Sequence, residues 1–245
     1  MRSTAELEAR HFPDYVRPDA RLDETIRRYL RPDSVILDAG AGRGKAFRYD
    51  YKASAQRVIG VDSGEAVLEN PNVDEGVVAD LADLPFQAET YDLVISRSVF
   101  EHLTEPHLVL RELRRVLRPG GHLVFRTPNR FHYYALGARV TPYRFHRWFN
   151  EKRGFPAEDT FPTAYRANDR FTLRKLARTT GFEVEELQLF ELKPSSLSFH
   201  PMAYRAGIAY ARLVERFEAL QDLRSNIIGV FRAVPTSYVT ASARD

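Results

Sequence analysis

A glycine-rich bend constrains this chain more than any other feature. The apolar run Val35-Ile36-Leu37 leads into Asp38-Ala39-Gly40-Ala41-Gly42-Arg43-Gly44. An unbroken apolar run of this kind suits a strand buried on both faces. Glycines at alternate positions let the backbone turn sharply and approach a ligand closely. A tight packing turn is the plainer use of the same residues. A second run, RVIGVD at 57–62, ends in an acid 22 residues after Gly40. A carboxylate there can accept both hydroxyls of a ribose, or simply cap a following helix.

The remaining pattern alternates in the same way. GVVAD (76–80), YDLVIS (91–96) and HLVFRT (122–127) read as further buried strands. A helix is expected at 20–30, and another directly after Gly44. Pro106 suits a first helical turn, with Leu108, Leu110, Leu113, Val116 and Leu117 on one face and Pro119-Gly120-Gly121 as the stop. Later come a helix ended by Gly181, a strand at 183–192, a helix at 202–220 and a strand at 226–233. The 202–220 helix sets Tyr204, Ile208, Ala211, Phe217 and Leu220 near one face. Its mixed charges favour packing over a lipid surface. These elements predict an α/β fold: a Rossmann-like, seven-stranded, mostly parallel sheet with helices on both faces and a lid insertion. The expected organisation is a single domain over 1–245. It comprises a cofactor-binding core at 20–127, an acceptor lid at 128–170, and a C-terminal helix and edge hairpin at 171–235, before a loose tail.

The glycine spacing bears on the ligand. A dinucleotide fingerprint wants glycine at 40, 42 and 45, but position 45 is Lys45 and the third glycine is Gly44. An acid two residues before Gly40 also suits a cationic ligand better than a pyrophosphate. Asp38 would sit well beside the amino and sulfonium groups of S-adenosylmethionine.

VILDAGAGRG, then GVD at 60–62, ADLADLPF at 79–86, YDLVISRSVFEHL at 91–103 and RVLRPGGHLVFRTPN at 115–129 occur in that order. In these blocks the chain resembles the class I S-adenosylmethionine-dependent methyltransferases, especially the group with ubiquinone-type and natural-product enzymes. The likeness resumes weakly at 171–184. It implies S-adenosylmethionine as cofactor. Asp38 with Gly40, Gly42 and Gly44 would hold the methionine portion. Asp62, with Ser63 beside it, would take the ribose. Asp80 and Leu81 would meet the adenine, and Ser96 and Arg97 would line the methionine side. Each has a plainer rival: Asp80 as a turn cap before Pro85, Ser96 and Arg97 as a strand end. His102 is the candidate general base. The reading that Glu101 and His102 open the next helix, and pack or cap there, is the one the residues favour.

The acceptor side is the stretch 126–170, with nine Lys or Arg against four acids and ten aromatics. A lid over an anionic or ring-bearing small molecule is the preferred reading. The rivals are an RNA surface and an ordinary packed insertion with its arginines in water. Nucleic acid is not the expected partner, because no RNA-binding module is recognisable and the net charge is only +3. The absence of cysteine removes disulfides, thiolate metal sites and a cysteine nucleophile. No HExxH or histidine–carboxylate spacing calls for a metal. No apolar stretch approaches a secretory signal or the roughly 18 residues of a membrane span, so a cytoplasmic protein is expected. The expected activity is methyl transfer to oxygen or nitrogen of a small molecule: a sugar, a quinone-like ring or a natural product. An NAD-dependent oxidoreductase, an RNA methyltransferase and a non-catalytic nucleotide-binding module are the alternatives.

Overall fold

Neighbouring residues of the apolar runs face opposite cores, which explains why the runs are unbroken. Leu37, Val94, Leu123 and Phe125 join one buried cluster, whereas Ile36, Leu93, Ile95 and Val124 join the other. A computed structural model describes residues 3–44, 50–140 and 162–235. Its elements are α1 (Thr4–His11), α2 (Pro18–Arg27), β1 (Val35–Ala39), β2 (Arg57–Asp62), β3 (Glu75–Val78), β4 (Tyr91–Arg97), α3 (Pro106–Val116), β5 (Leu117–Pro128), α4 (Tyr133–Val140), α5 (Arg170–Thr179), β6 (Phe182–Phe190), α6 (Pro201–Arg216) and β7 (Asn226–Ala233).

The strands form one seven-stranded sheet in the order β3-β2-β1-β4-β5-β7-β6. Pairings from β3 to β5 are parallel, and β7 runs antiparallel to both β5 and β6. The carboxyl ends of β1 to β6 therefore share one edge of the sheet, where open α/β sheets place ligands. α3 and α5 cover one face through Val109, Leu110, Leu113, Leu173 and Ala177. α2 covers the other through Leu22 and Ile26. Phe125 ties the centre together, stacked on Phe100 at 4.3 Å and edge-on to Phe231 at 4.9 Å.

Several sequence expectations are corrected in detail. The helix α3 already stops at Val116, and Pro119-Gly120-Gly121 lies inside β5. Proline at 119 disfavours a helical residue 118, and Leu117 leaves the helix to pair with Tyr91 before the register shifts. Leu108 is exposed at 40% and Val109 takes its place inward. α6 ends at Arg216, leaving Phe217 48% exposed, while Gly207 and Val214 complete its buried stripe. The helix expected after Gly44 falls partly on 45–49, outside the described residues. What is described between Gly44 and β2 holds only a 3₁₀ turn, Lys52–Ser54. Much of the expected lid (141–161) and the tail (236–245) also lie outside the described residues. Among the described residues no helix is long and apolar enough to cross a membrane.

Candidate functional site

The glycine bend closes over the tip of β2. Gly40 and Ala41 donate their N–H groups to the Val61 carbonyl at 2.8 and 3.1 Å. Gly40, Gly42 and Gly44 all have positive φ, at 81°, 49° and 70°. A side chain at Gly40 would also collide with Val99, and one at Gly44 with Asn70. Only glycine meets both demands.

Asp62 buttresses this bend. Its Oδ2 accepts the Gly42 N–H at 3.0 Å and its Oδ1 accepts the Gly64 N–H at 2.9 Å. A carboxylate has about four lone-pair sites, so capacity for two ribose hydroxyls remains. Ser63 is exposed beside it. Two residues that sequence reasoning missed clamp the bend from β3's side. Asn70 Nδ2 donates to the Ala41 and Gly42 carbonyls, each at 3.1 Å, and Asn72 Nδ2 donates to the Gly44 carbonyl at 2.7 Å. The Asn70-Pro71-Asn72 triplet was the available signal.

Asp38 lies at the tip of β1, in register with Gly60 of β2 and Ile95 of β4. Burial pushes its carboxyl up to about 6, with the Arg97 guanidinium opposing the rise and the Asp62 carboxylate adding to it. A partly enclosed acid that is hard to ionise alone becomes a good seat for a cation. Ser96 is buried and donates its hydroxyl to the Ala39 carbonyl at 3.0 Å, binding the tips of β1 and β4. Asp80 is exposed at the end of the β3 segment and accepts the Ala82 N–H at 2.9 Å, the geometry of a turn cap, with Leu81 partly buried next to it.

The loop after β4 is strained. Ser98 has φ 57°, held by its N–H on the Arg126 carbonyl at 3.0 Å and by Arg126 donating to its Oγ at 2.9 Å. Glu101 and His102 do not open a helix, since α3 begins only at Pro106. Glu101 is buried and its carboxyl is raised by burial. It accepts the Thr127 hydroxyl at 3.2 Å, and its carbonyl takes the Ala164 and Tyr165 N–H groups. His102 Nδ1 sits 2.8 Å from the Pro162 carbonyl. That carbonyl can only accept, so it fixes the Nδ1–H tautomer and makes Nε2 the basic nitrogen.

Beyond β5 a cavity of about 430 Å³ opens between the α1–α2 link, the start of α4 and the ends of β5, β6 and β7. Tyr15, Asn129, His132, Tyr133, Glu191 and Lys193 are in its wall. Four arginines of the basic stretch are spent on internal acids. Arg126 faces Asp19 at 3.4 Å, Arg130 faces Asp169 at 3.4 Å, Arg166 faces Glu105 at 3.5 Å and Arg170 faces Asp222 at 2.7 Å. Arg144, Arg147, Lys152 and Arg153 lie outside the described residues. Among the described residues no cluster of His, Asp and Glu could hold a metal ion.

Residues 37–125, from β1 to the end of the β5 apolar run, match the methyltransferase domain family. That span contains the whole bend, both strand-tip acids and the strained loop. These residues form a methyltransferase domain, similar to those of the class I S-adenosylmethionine-dependent methyltransferases. It is 37% identical over 114 residues to a sarcosine/dimethylglycine N-methyltransferase of Halorhodospira halochloris, covering 42% of this chain and 41% of that protein. It is 30% identical over 145 residues to a ubiquinone biosynthesis O-methyltransferase of Hahella chejuensis, covering 52% and 60%. The chain thus spans about half the length of these curated relatives. The fold is shared with a Haloferax volcanii protein solved with the Trm112 methyltransferase activator, at TM-score 0.58 and 20% identity, over 95% of this chain and 94% of that one. S-adenosylmethionine, the cofactor of that domain family, fits the residues present: a Cβ-free cradle, an acid awaiting a cation and a carboxylate with spare acceptor capacity.

Proposed function

We propose that the protein transfers a methyl group from S-adenosylmethionine to an oxygen or nitrogen of a small molecule held in the cavity beyond β5. The observation that carries this is the placement of Asp38, a carboxyl whose ionisation burial opposes, at the head of a bend whose three positive-φ glycines carry no side chain. Such a site favours a cation over a phosphate, which argues against a dinucleotide. Asp38 and the bend from Gly40 to Gly44 would hold the methionine portion, Asp62 and Ser63 the ribose, Asp80 and Leu81 the adenine. Arg97 and Ser96 would border the methionine side, with Ser96 acting through the strand tips it joins. Bound there, the sulfonium supplies an already activated methyl group whose leaving group departs neutral.

The chain's own task is then positioning. The hydrogen bonds of Glu101 with Thr127, Ala164 and Tyr165 hold the loop after β4 in place beside the tip of β5. His102, with its tautomer fixed, is the residue to take a proton from an acceptor that cannot lose one unaided. Relatives named for nitrogen and for oxygen acceptors each match about half of the chain, so the reading keeps both atoms. Calorimetry with S-adenosylhomocysteine followed by its release during turnover of an acceptor panel is the test. Absence of any binding heat on folded protein refutes the reading. If His102 is the base, His102→Gln lowers turnover by roughly a hundredfold and leaves cofactor affinity unchanged.

A further inference from the structure

Resting on the reading that the cavity takes the methyl acceptor, we propose that Glu191 and His132 form a distal recognition site for a neutral hydroxyl. The cavity then selects elongated ring compounds with a hydroxyl remote from the methylated atom, and it rejects carboxylates and phosphates.

Both residues are buried, His132 at 7% and Glu191 at 8% exposure. Their nearest polar atoms, His132 Nε2 and Glu191 Oε1, are 3.4 Å apart. Yet His132 Nε2 and Glu191 Oε2 have no hydrogen-bond partner, a costly state for buried polar atoms. The Tyr134 N–H donates to His132 Nδ1 at 3.3 Å. Nδ1 is therefore an acceptor, and the neutral ring carries its proton on Nε2. The wall thus presents an N–H donor beside a carboxylate acceptor. A hydroxyl satisfies both at once, donating to Glu191 and accepting from His132. An ammonium can only donate and would leave Nε2–H bare. A carboxylate or phosphate can only accept and would face Glu191 in repulsion.

The surroundings fit a ring. Tyr133 lies 4.1 Å from the His132 ring, and Tyr210 stands edge-on to both at 5.6 and 5.0 Å. No surplus cation awaits an anion among the described lining residues. Lys193 is paired with Glu8 at 2.5 Å and lies over the Tyr15 ring. Glu191 directly follows β6, three strands from β4. At about 4.8 Å per strand this is about 14 Å from the loop that borders the methyl donor, which sets the length of the ligand at about two linked rings.

The test uses para-phenylphenol, para-phenylbenzylammonium and para-phenylbenzoate as probes on full-length protein saturated with S-adenosylhomocysteine, with affinities read by ligand-observed NMR. The phenol is expected to bind roughly tenfold more tightly than either charged probe. Glu191→Gln and His132→Phe each reduce that preference to about threefold or less, with Glu191→Gln improving the carboxylate. The heat of S-adenosylhomocysteine binding stays unchanged in both variants and reports their folding. If Glu191→Gln fails to fold, the wild-type ratio and His132→Phe carry the test. Equal binding of carboxylate and phenol, no binding by any probe at millimolar concentration, or an unaltered ratio in the variants overturns the proposal. A protein that selects the phenol but gives no heat with S-adenosylhomocysteine would refute the methyltransferase reading and leave this one standing.

Discussion

The two halves of the ligand edge are built by different means. The half over β2, β1 and β4 is made largely of backbone: three glycines with positive φ, propped by Asp62, Asn70 and Asn72. The half over β5, β7 and β6 is made of side chains gathered from distant segments. Tyr15, His132, Glu191 and Asn226 border one cavity. Backbone recognition depends on the absence of side chains and is encoded in one short motif. Side-chain recognition depends on which loops meet, and so can change without disturbing the first half.

Five substitutions or titrations can break or sharpen that contrast. Gly40→Val should do most damage, because it combines a positive φ with a collision against Val99. We expect cofactor affinity to fall by more than about 3 kcal/mol, measured by calorimetry. Asn129→Ala is the counterpart in the other half. Its Nδ2 serves the Asp222 and Arg224 carbonyls, each at 2.7 Å, and its Oδ1 accepts the Phe131 N–H at 3.1 Å. Removing it should cost about 3 kcal/mol of stability in denaturant titration, with cofactor affinity retained in the folded fraction. Comparable loss of cofactor affinity would mean the halves are coupled. Asp62→Ala removes a charged acceptor from the bend and from the ribose it is proposed to hold, and should weaken cofactor binding by about 2 kcal/mol.

Asp38 supplies a pH signature. Its folded value, about 6, lies above its unfolded value. The folded state therefore holds more protons between about 4 and about 6, and this group's contribution to stability improves as pH falls through about 6. Cofactor binding should show the reverse. Affinity for the cationic nucleoside rises roughly tenfold as pH climbs through about 6, and the rise vanishes in Asp38→Asn. The smallest effect is expected of Asp80→Asn, which keeps an oxygen for the Ala82 N–H. Cofactor affinity should drop by less than about 1 kcal/mol. A larger loss would mean that the charge itself meets the adenine.

The backbone half was legible in the chain because its signals are local. RVIGVD and NIIGVFRA were readable as strands to the residue, since apolar runs with both faces buried admit little else. The start of β5 was not, because Pro119-Gly120-Gly121 reads as a helix stop while the strand already begins at Leu117. The cavity proposed for the acceptor was only half legible. Residues 128–135 were expected in it, but Tyr15, Glu191 and Lys193 lie far along the chain and carry no motif. The basic stretch suggested an anionic or ring-bearing acceptor, whereas Arg126, Arg130, Arg166 and Arg170 face acids of the fold.

The amino-acid order alone determined where the chain turns at Gly40, which acids end β1 and β2, and that the strands are buried on both sides. Those are properties of a few consecutive residues and their allowed dihedrals. Tertiary structure decided which polar atoms are left without partners. His132 and Glu191 acquire their meaning only because β7 inserts between β5 and β6, bringing residues 59 positions apart to within 3.4 Å. Hydrogen-bond satisfaction is a property of that assembled neighbourhood and is written in no single segment.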